Sequence, residues 1–430
     1  MVNITQAGKA QSWTVALLSR DRINQLIQFS FLTFLFFMPF PHTPTIRAIA
    51  LGLAIVGWIL NMALFEGFRL EKNPLTLWIS IYFLIAVASA LFSIEPWQSL
   101  KALKGDLLVF VLTYLLIIGN FKTFKDNKRI LLCFVISSSL LSLVSLGGFL
   151  YYGMTFFEIH HLWISRVDLA FHLVFYIPIV LGTFFLEKGL ITRLLLTVVI
   201  PLQFLLVYLG DRRTALIAAL LGAIFLLWGL RRYLIIAGFI GVFVLSILFF
   251  PGRYASIFYL RTFTADKISG RYEIWMGTYE LIKERPLLGH GYGWRKFQAV
   301  IEENYVHGKK EEDAEIKVFL RDKGARTNAH NLLLQITFET GILGLAAFLL
   351  LWVQVIRVLF NGLKNIYEVN ADWKDHRAFL FTILSTFISY HALSSMFSLG
   401  SGVSGVLIWA SMGLAVSGSR RGSEHGLDKG

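Results

Sequence analysis

Long apolar runs recur along almost the whole chain, and they restrict its backbone more than any motif does. Stretches near 23–40, 46–64, 74–93, 105–120, 130–152, 168–186, 194–209, 213–230, 233–250, 331–356, 378–395 and 399–416 each fill a membrane window. In hydrocarbon, peptide groups have no water to bond, so a segment must satisfy its own backbone as a helix or join a closed barrel. The expectation is an all-α polytopic bundle of about twelve transmembrane helices. Composition agrees, with 56% of 430 residues hydrophobic, 16% charged and a mean hydropathy of +0.64. The first run, Ile23 to Phe40, has a basic approach (Lys9, Arg20, Arg22) like a secretion signal. It is too long for one and lacks a small-residue cleavage site, so it reads as a retained first span.

This layout puts nine helices in 1–250, one long polar loop in 251–329, three helices in 330–416 and a tail in 417–430. An even number of spans places both termini on one side, and lysine and arginine decide which. With the termini inside, seven cytoplasmic segments hold nineteen of them, whereas the short outer loops hold about five: Lys101, Lys104, Arg166, Arg212 and Arg213. The loop 251–329 then lies outside, on the periplasmic face of a bacterial inner membrane. The net charge of +13 is mostly this orientation bias. The basic residues are scattered without aromatic interleaving, which speaks against nucleic acid and for anionic lipid headgroups as partners. Cys133 is the only cysteine and excludes a disulfide or thiolate metal site within the chain. There is no phosphate-cradling P-loop, no His-Glu-x-x-His and no dinucleotide fingerprint, so no metal or cofactor is expected.

The outer loop carries fourteen Lys and Arg against eleven Asp and Glu, the balance of a solvated element with its own structure. Tyr272, Trp275, Met276, Tyr279 and Ile282 follow the three-and-four spacing of an amphipathic helix. Ser269 is its candidate N-cap; Arg285-Pro286 and the glycines at 289, 291 and 293 end it. A second helix is expected from Trp294 to Tyr305. Lys309 to Asp313 reads as a solvated turn. Arg271 sits at the first turn of the first helix, where backbone N–H groups favour an anion and a phosphate would use both. The alternative is a surface arginine paired with Glu273.

His330 closes the loop at the mouth of the next span. A neutral imidazole there can take a proton from a hydroxyl of a lipid-linked substrate; alternatively the histidine only caps the helix. Arg212 and Arg213 occupy a very short outer turn against the charge bias, and paired guanidiniums suit phosphate oxygens. An ion pair with Asp211 plus snorkelling is the bland alternative. Arg166, Asp168 and His172 form a weaker cluster that reads as structural. Glu339, two turns into its span, is costly in lipid and should face the bundle interior. Gly341 and Gly344 read as close helix packing.

Three stretches carry a resemblance to a known family: Asp211-Arg212-Arg213-Thr214-Ala215-Leu216; Ser269-Gly270-Arg271 with Trp275; and Ala329-His330-Asn331 with Leu334, Gly341 and Gly344-Leu345. Together with their order and the large late outer loop, they resemble the O-antigen ligases, which share their pattern with O-antigen polymerases and some protein O-oligosaccharyltransferases. The family has a small hydroxyl residue where this chain has Arg212, and matching the motif gives Arg213 the family role. The resemblance implies a GT-C-like glycosyltransferase that moves O-antigen glycan from undecaprenyl diphosphate to a lipid A-core sugar hydroxyl. It implies inversion, without metal or nucleotide. Arg213 and Arg271, with Arg212, would bind the diphosphate, His330 would be the general base, and Asn331, Arg166 and Glu339 would support them.

Polymerases often carry an outer-loop arginine followed eleven residues later by glycine, and no arginine in 251–329 has that spacing. A protein oligosaccharyltransferase would differ in its acceptor. A transporter would need a polar path and usually a repeated architecture; only Glu339 and His391 point that way.

Overall fold

The computed structural model describes residues 19–66, 73–157, 164–210, 212–249, 271–306, 328–365, 373–394 and 402–419, and they are helical nearly throughout. The helices are α1 (Arg20–Phe37), α2 (Pro44–Asn61), α3 (Pro74–Leu91), α4 (Pro96–Gly105), α5 (Leu107–Asn120), α6 (Phe124–Tyr152), α7 (Arg166–Leu186), α8 (Leu190–Leu209), α9 (Arg213–Gly229), α10 (Tyr233–Phe249), α11 (Arg271–Glu284), α12 (Trp294–Ile301), α13 (Leu332–Asn365), α14 (Trp373–Ser394) and α15 (Gly402–Ser419). Their starts are written in the sequence. Proline opens α2, α3 and α4, where its missing N–H costs nothing. Thr123 and Asp126 close a reciprocal capping box on α6, and Ser165 caps α7.

Among the described residues, eight helical segments are long and apolar enough to cross a membrane, so the chain is a polytopic helical membrane protein. The apolar segments containing α1, α9, α10 and α14 fall short for separate reasons. α1 begins Arg-Asp-Arg, and α9 and α10 have 17 residues each. α14 is diluted by Thr382, Ser385, Thr386 and Ser389, a completely buried stripe at helical spacing. Those small side chains face other helices rather than lipid. Ser389 Oγ donates to the Ala218 carbonyl at 3.1 Å, and a Cβ on Gly222 would overlap Ser389 Oγ, so α9 and α14 meet almost backbone to backbone. α7, α14 and α15 form the centre of the bundle, enclosed by their neighbours along most of their length.

The bundle has two distinguishable ends. At one, Lys128 pairs with Glu187 at 3.4 Å, Lys188 with Asp375 at 3.9 Å, and Arg377 donates to the Gly229 carbonyl at 2.7 and 3.0 Å. At the other lies a cap with its own small core, formed by Ile274, Leu281, Phe297, Val300, Ile301, Tyr305, Ala329 and Phe338. α11 covers the span that the three-and-four spacing indicated, and α12 covers the first part of the second helix expected from Trp294 to Tyr305.

One element departs from expectation. The last long span is not continuous: α13 breaks at Gly341, whose φ of +66° lies in the left-handed region. Gly341 is therefore a break in the helix, and the close packing expected of it is made with the segment at Leu287 and Leu288 rather than with a neighbouring helix. Residues 332–340 form a short half-helix beside the cap and 342–365 the long one.

Candidate functional site

The break exposes backbone groups that a continuous helix would pair internally, and the segment after α11 takes them up. His290 N–H donates to the Phe338 carbonyl at 2.8 Å and Gly291 N–H to the Glu339 carbonyl at 3.1 Å. In the other direction, Ile342 N–H donates to the Pro286 carbonyl at 2.8 Å and Leu343 N–H to the Leu287 carbonyl at 3.4 Å. The approach is so close that a Cβ on Gly289 would sit 2.5 Å from the Phe338 oxygen, and one on Gly341 would overlap the Leu287 carbonyl. Glycine is required at both by geometry and by positive φ. The helix that Arg271 opens is thus locked to the half-helix that His330 precedes.

Further contacts fix the cap on the bundle. Arg285 Nη1 donates to the Phe92 carbonyl at 3.1 Å, and Lys296, only 3% exposed, reaches Glu95 at 3.3 Å. The His290 ring stacks on Phe338, with centroids 4.7 Å apart, and its Nε2 meets the Leu281 carbonyl at 2.8 Å. Burial holds His290 below the ordinary histidine range, so it is neutral and Nε2 carries the proton to Leu281. Burial likewise lifts the Tyr292 hydroxyl well above its ordinary value, with Glu339, Tyr82, Asp106 and Tyr390 adding in the same direction. A polar group of this density beneath the cap is unusual in so apolar a bundle.

His330 is half-buried and its backbone adopts a φ of +46°, which a non-glycine residue holds only when its surroundings impose it. Its own N–H donates to Asn328 Oδ1 at 2.8 Å, and the preceding Ala329 N–H donates to Gln335 Oε1 at 2.9 Å. The helix cap next to it is Asn331, whose Oδ1 accepts from Leu333 and Leu334 N–H at 3.0 and 3.2 Å. Asn331 thus caps the start of this half-helix through its side chain. Glu339, 8% exposed, accepts from Gln335 Nε2 at 2.6 Å through Oε1, so it does face inward.

Arg271 and Arg213 are the first residues of α11 and α9; their side chains, like Asp211, Ser269, Glu273 and 309–313, lie outside the described part. Arg212 immediately precedes α9 and is exposed. A Cβ on Gly210 would sit 2.4 Å from the Ala170 side chain and 3.1 Å from the Arg166 carbonyl oxygen, so the Arg212 turn lies close to the start of α7. Asp168 is engaged there with the Ser165 cap at 2.7 Å. Arg47, at the same end of α2, was hidden from the sequence reading inside an apolar run. So were Gln335 and Asn328, although polar residues four apart in an apolar helix, as at 335 and 339, were a usable signal.

The 166/212 cluster and the His330 turn share one end of the bundle. Helix order puts them there: α14 runs beside α9 from Arg377 at Gly229 toward Ser389 at Ala218, and α13 returns from the cap to Ser419, which bonds Val358 at 3.1 Å. Residues 196–349 match the O-antigen ligase family. The matched stretch contains Arg212, Arg213, Arg271, His330, Asn331 and Glu339, and leaves out Arg166. An O-antigen ligase or polymerase type of activity, that of a glycosyltransferase using a lipid-linked glycan in a multi-pass membrane protein, goes with this match. No curated protein matches the chain.

Proposed function

We propose that this protein is an O-antigen ligase, with about twelve spans in a GT-C-like arrangement, both termini cytoplasmic and the cap on the periplasmic side of the inner membrane. Its donor is glycan on undecaprenyl diphosphate and its acceptor a sugar hydroxyl of lipid A-core. The observation that carries this reading is the His330 turn: a strained, half-buried histidine fixed at the head of a half-helix, locked to the helix that Arg271 opens. Such a histidine is placed to take the acceptor proton as the hydroxyl oxygen attacks the anomeric carbon. The bond from that carbon to the diphosphate oxygen breaks with its electrons going to the diphosphate, and attack from the opposite face inverts the centre. Arg271 and Arg213, assisted by Arg212, offset the charge that develops on the leaving group. No metal is required in this scheme.

The test is transfer from purified undecaprenyl-diphosphate glycan to lipid A-core in the presence of chelator, comparing wild type with His330→Ala and Arg271→Ala. The expected losses are about 10²–10⁴-fold for the histidine and about 10²–10³-fold for the arginine. Longer lipid-linked chains, or glycosylated protein, in place of ligated core would replace the ligase with a polymerase or a protein oligosaccharyltransferase.

A further inference from the structure

The left-handed backbone at His330 is strained for a residue with a side chain and needs a device that enforces it. The device is visible as a directed chain of hydrogen bonds. The completely buried Ala329 N–H donates to Gln335 Oε1 at 2.9 Å, and Gln335 Nε2 donates to Glu339 Oε1 at 2.6 Å. The Glu339 carboxylate also faces the backbone amide of Gly293, and its carbonyl accepts from Gly291 N–H and from Ser89 Oγ at 3.1 and 2.5 Å. A carboxylate can only accept, so it compels the Gln335 amide to turn its NH₂ inward and its oxygen toward Ala329. A neutral amide at 339 could donate as well as accept, and would no longer set that orientation.

We propose that Gln335 and Glu339 are positioning residues for His330. Glu339 sets the Gln335 amide, Gln335 anchors the peptide before the histidine, and the same carboxylate ties that turn to the glycine segment following the Arg271 helix. Neither residue touches substrate. The pair sets the place from which the imidazole meets the acceptor hydroxyl, and the inference rests on His330 being the base.

The arrangement makes an unusual demand on a swap. Gln335→Glu at pH 8.5 sets two carboxylates against each other and removes the donor between them. Adding Glu339→Gln reverses the bond without breaking it, because the amide introduced at position 339 now donates to the carboxylate introduced at position 335, which still accepts from Ala329. Transfer kinetics and amide hydrogen exchange at 328–335 are measured on full-length wild type, Q335E, Q335E/E339Q and H330A. We expect kcat to fall at least tenfold in Q335E, with KM for the donor within about twofold and melting temperature unchanged. Ala329 amide protection should fall by a similar factor, and both should recover in the double swap. Lowering the pH should also restore Q335E in part, as a shared proton rebuilds the bridge. A double swap as slow and as unprotected as Q335E overturns the proposal, as does a Q335E protein with wild-type rate and protection. If H330A transfers normally, the base assignment fails instead, and the exchange data still decide whether the pair holds the turn.

Discussion

The centre of the bundle and the cap are both tightly packed, but they are held by different means. Where α14 meets α7 and α9, contact is made by serine, threonine and glycine, and the hydroxyls mostly bond within their own helix, as Thr382 does to Ala378 at 2.7 Å and Thr386 to Thr382 at 2.9 Å. The interface is broad and repetitive, with Gly182 and Gly222 lying directly against the Thr382 and Ser389 side chains. The cap has a core of eight buried residues and depends on individual bonds: four backbone pairs across the Gly341 break, one glutamine and one stacked histidine. The part that carries the proposed site is therefore the part held by the fewest individual contacts.

Gly341→Val should break that contrast most severely. A β-branched residue at φ +66° is strained by about 1–3 kcal/mol, and its Cβ would overlap the Leu287 carbonyl. Transfer should fall more than tenfold while the detergent-solubilised bundle melts within a few degrees of wild type. A large loss of melting temperature would mean that cap and bundle are one cooperative unit.

Acid should loosen the cap alone. His290 is held below its ordinary value of about 6.5, so the folded cap resists a proton that the opened cap accepts. Its contribution is present above about pH 6.5 and is lost as pH falls from there through the lowered folded value. Glu284, Arg285 and Lys296 modulate this, burial being the dominant cause. Amide protection over 274–301, corrected for the intrinsic pH dependence of exchange, should fall several-fold between pH 7.5 and 5.5, and His290→Gln should flatten the change. The smallest effect is expected for Ser389→Ala in the bundle centre, about 0.6 kcal/mol and a transfer rate within twofold, measured by melting and initial rates.

The same contrast explains what the sequence discloses. Apolar runs and three-and-four spacing are side-chain patterns, and they located the long apolar helices and α11. The Gly341 break was illegible because it is made good in backbone bonds: Gly-x-x-Gly reads equally as helix packing, and nothing in Pro286-Leu287-Leu288-Gly289 announces that its carbonyls and amides pair with residues about 50 positions away. Lys296 was equally opaque, since its partner Glu95 is 201 residues distant. α14 hid for the opposite reason, because burial among helices lets serine and threonine lower its hydropathy.

The interlock at the Gly341 break also imposes an order on biogenesis. Residues 286–291 leave the ribosome before 338–343, yet their amides and carbonyls find partners only there. Until the final third of the chain has been made and inserted, the glycine segment has nothing to close on and the turn at His330 cannot be set. The four backbone pairs across the break therefore form late, in a single closing step rather than span by span.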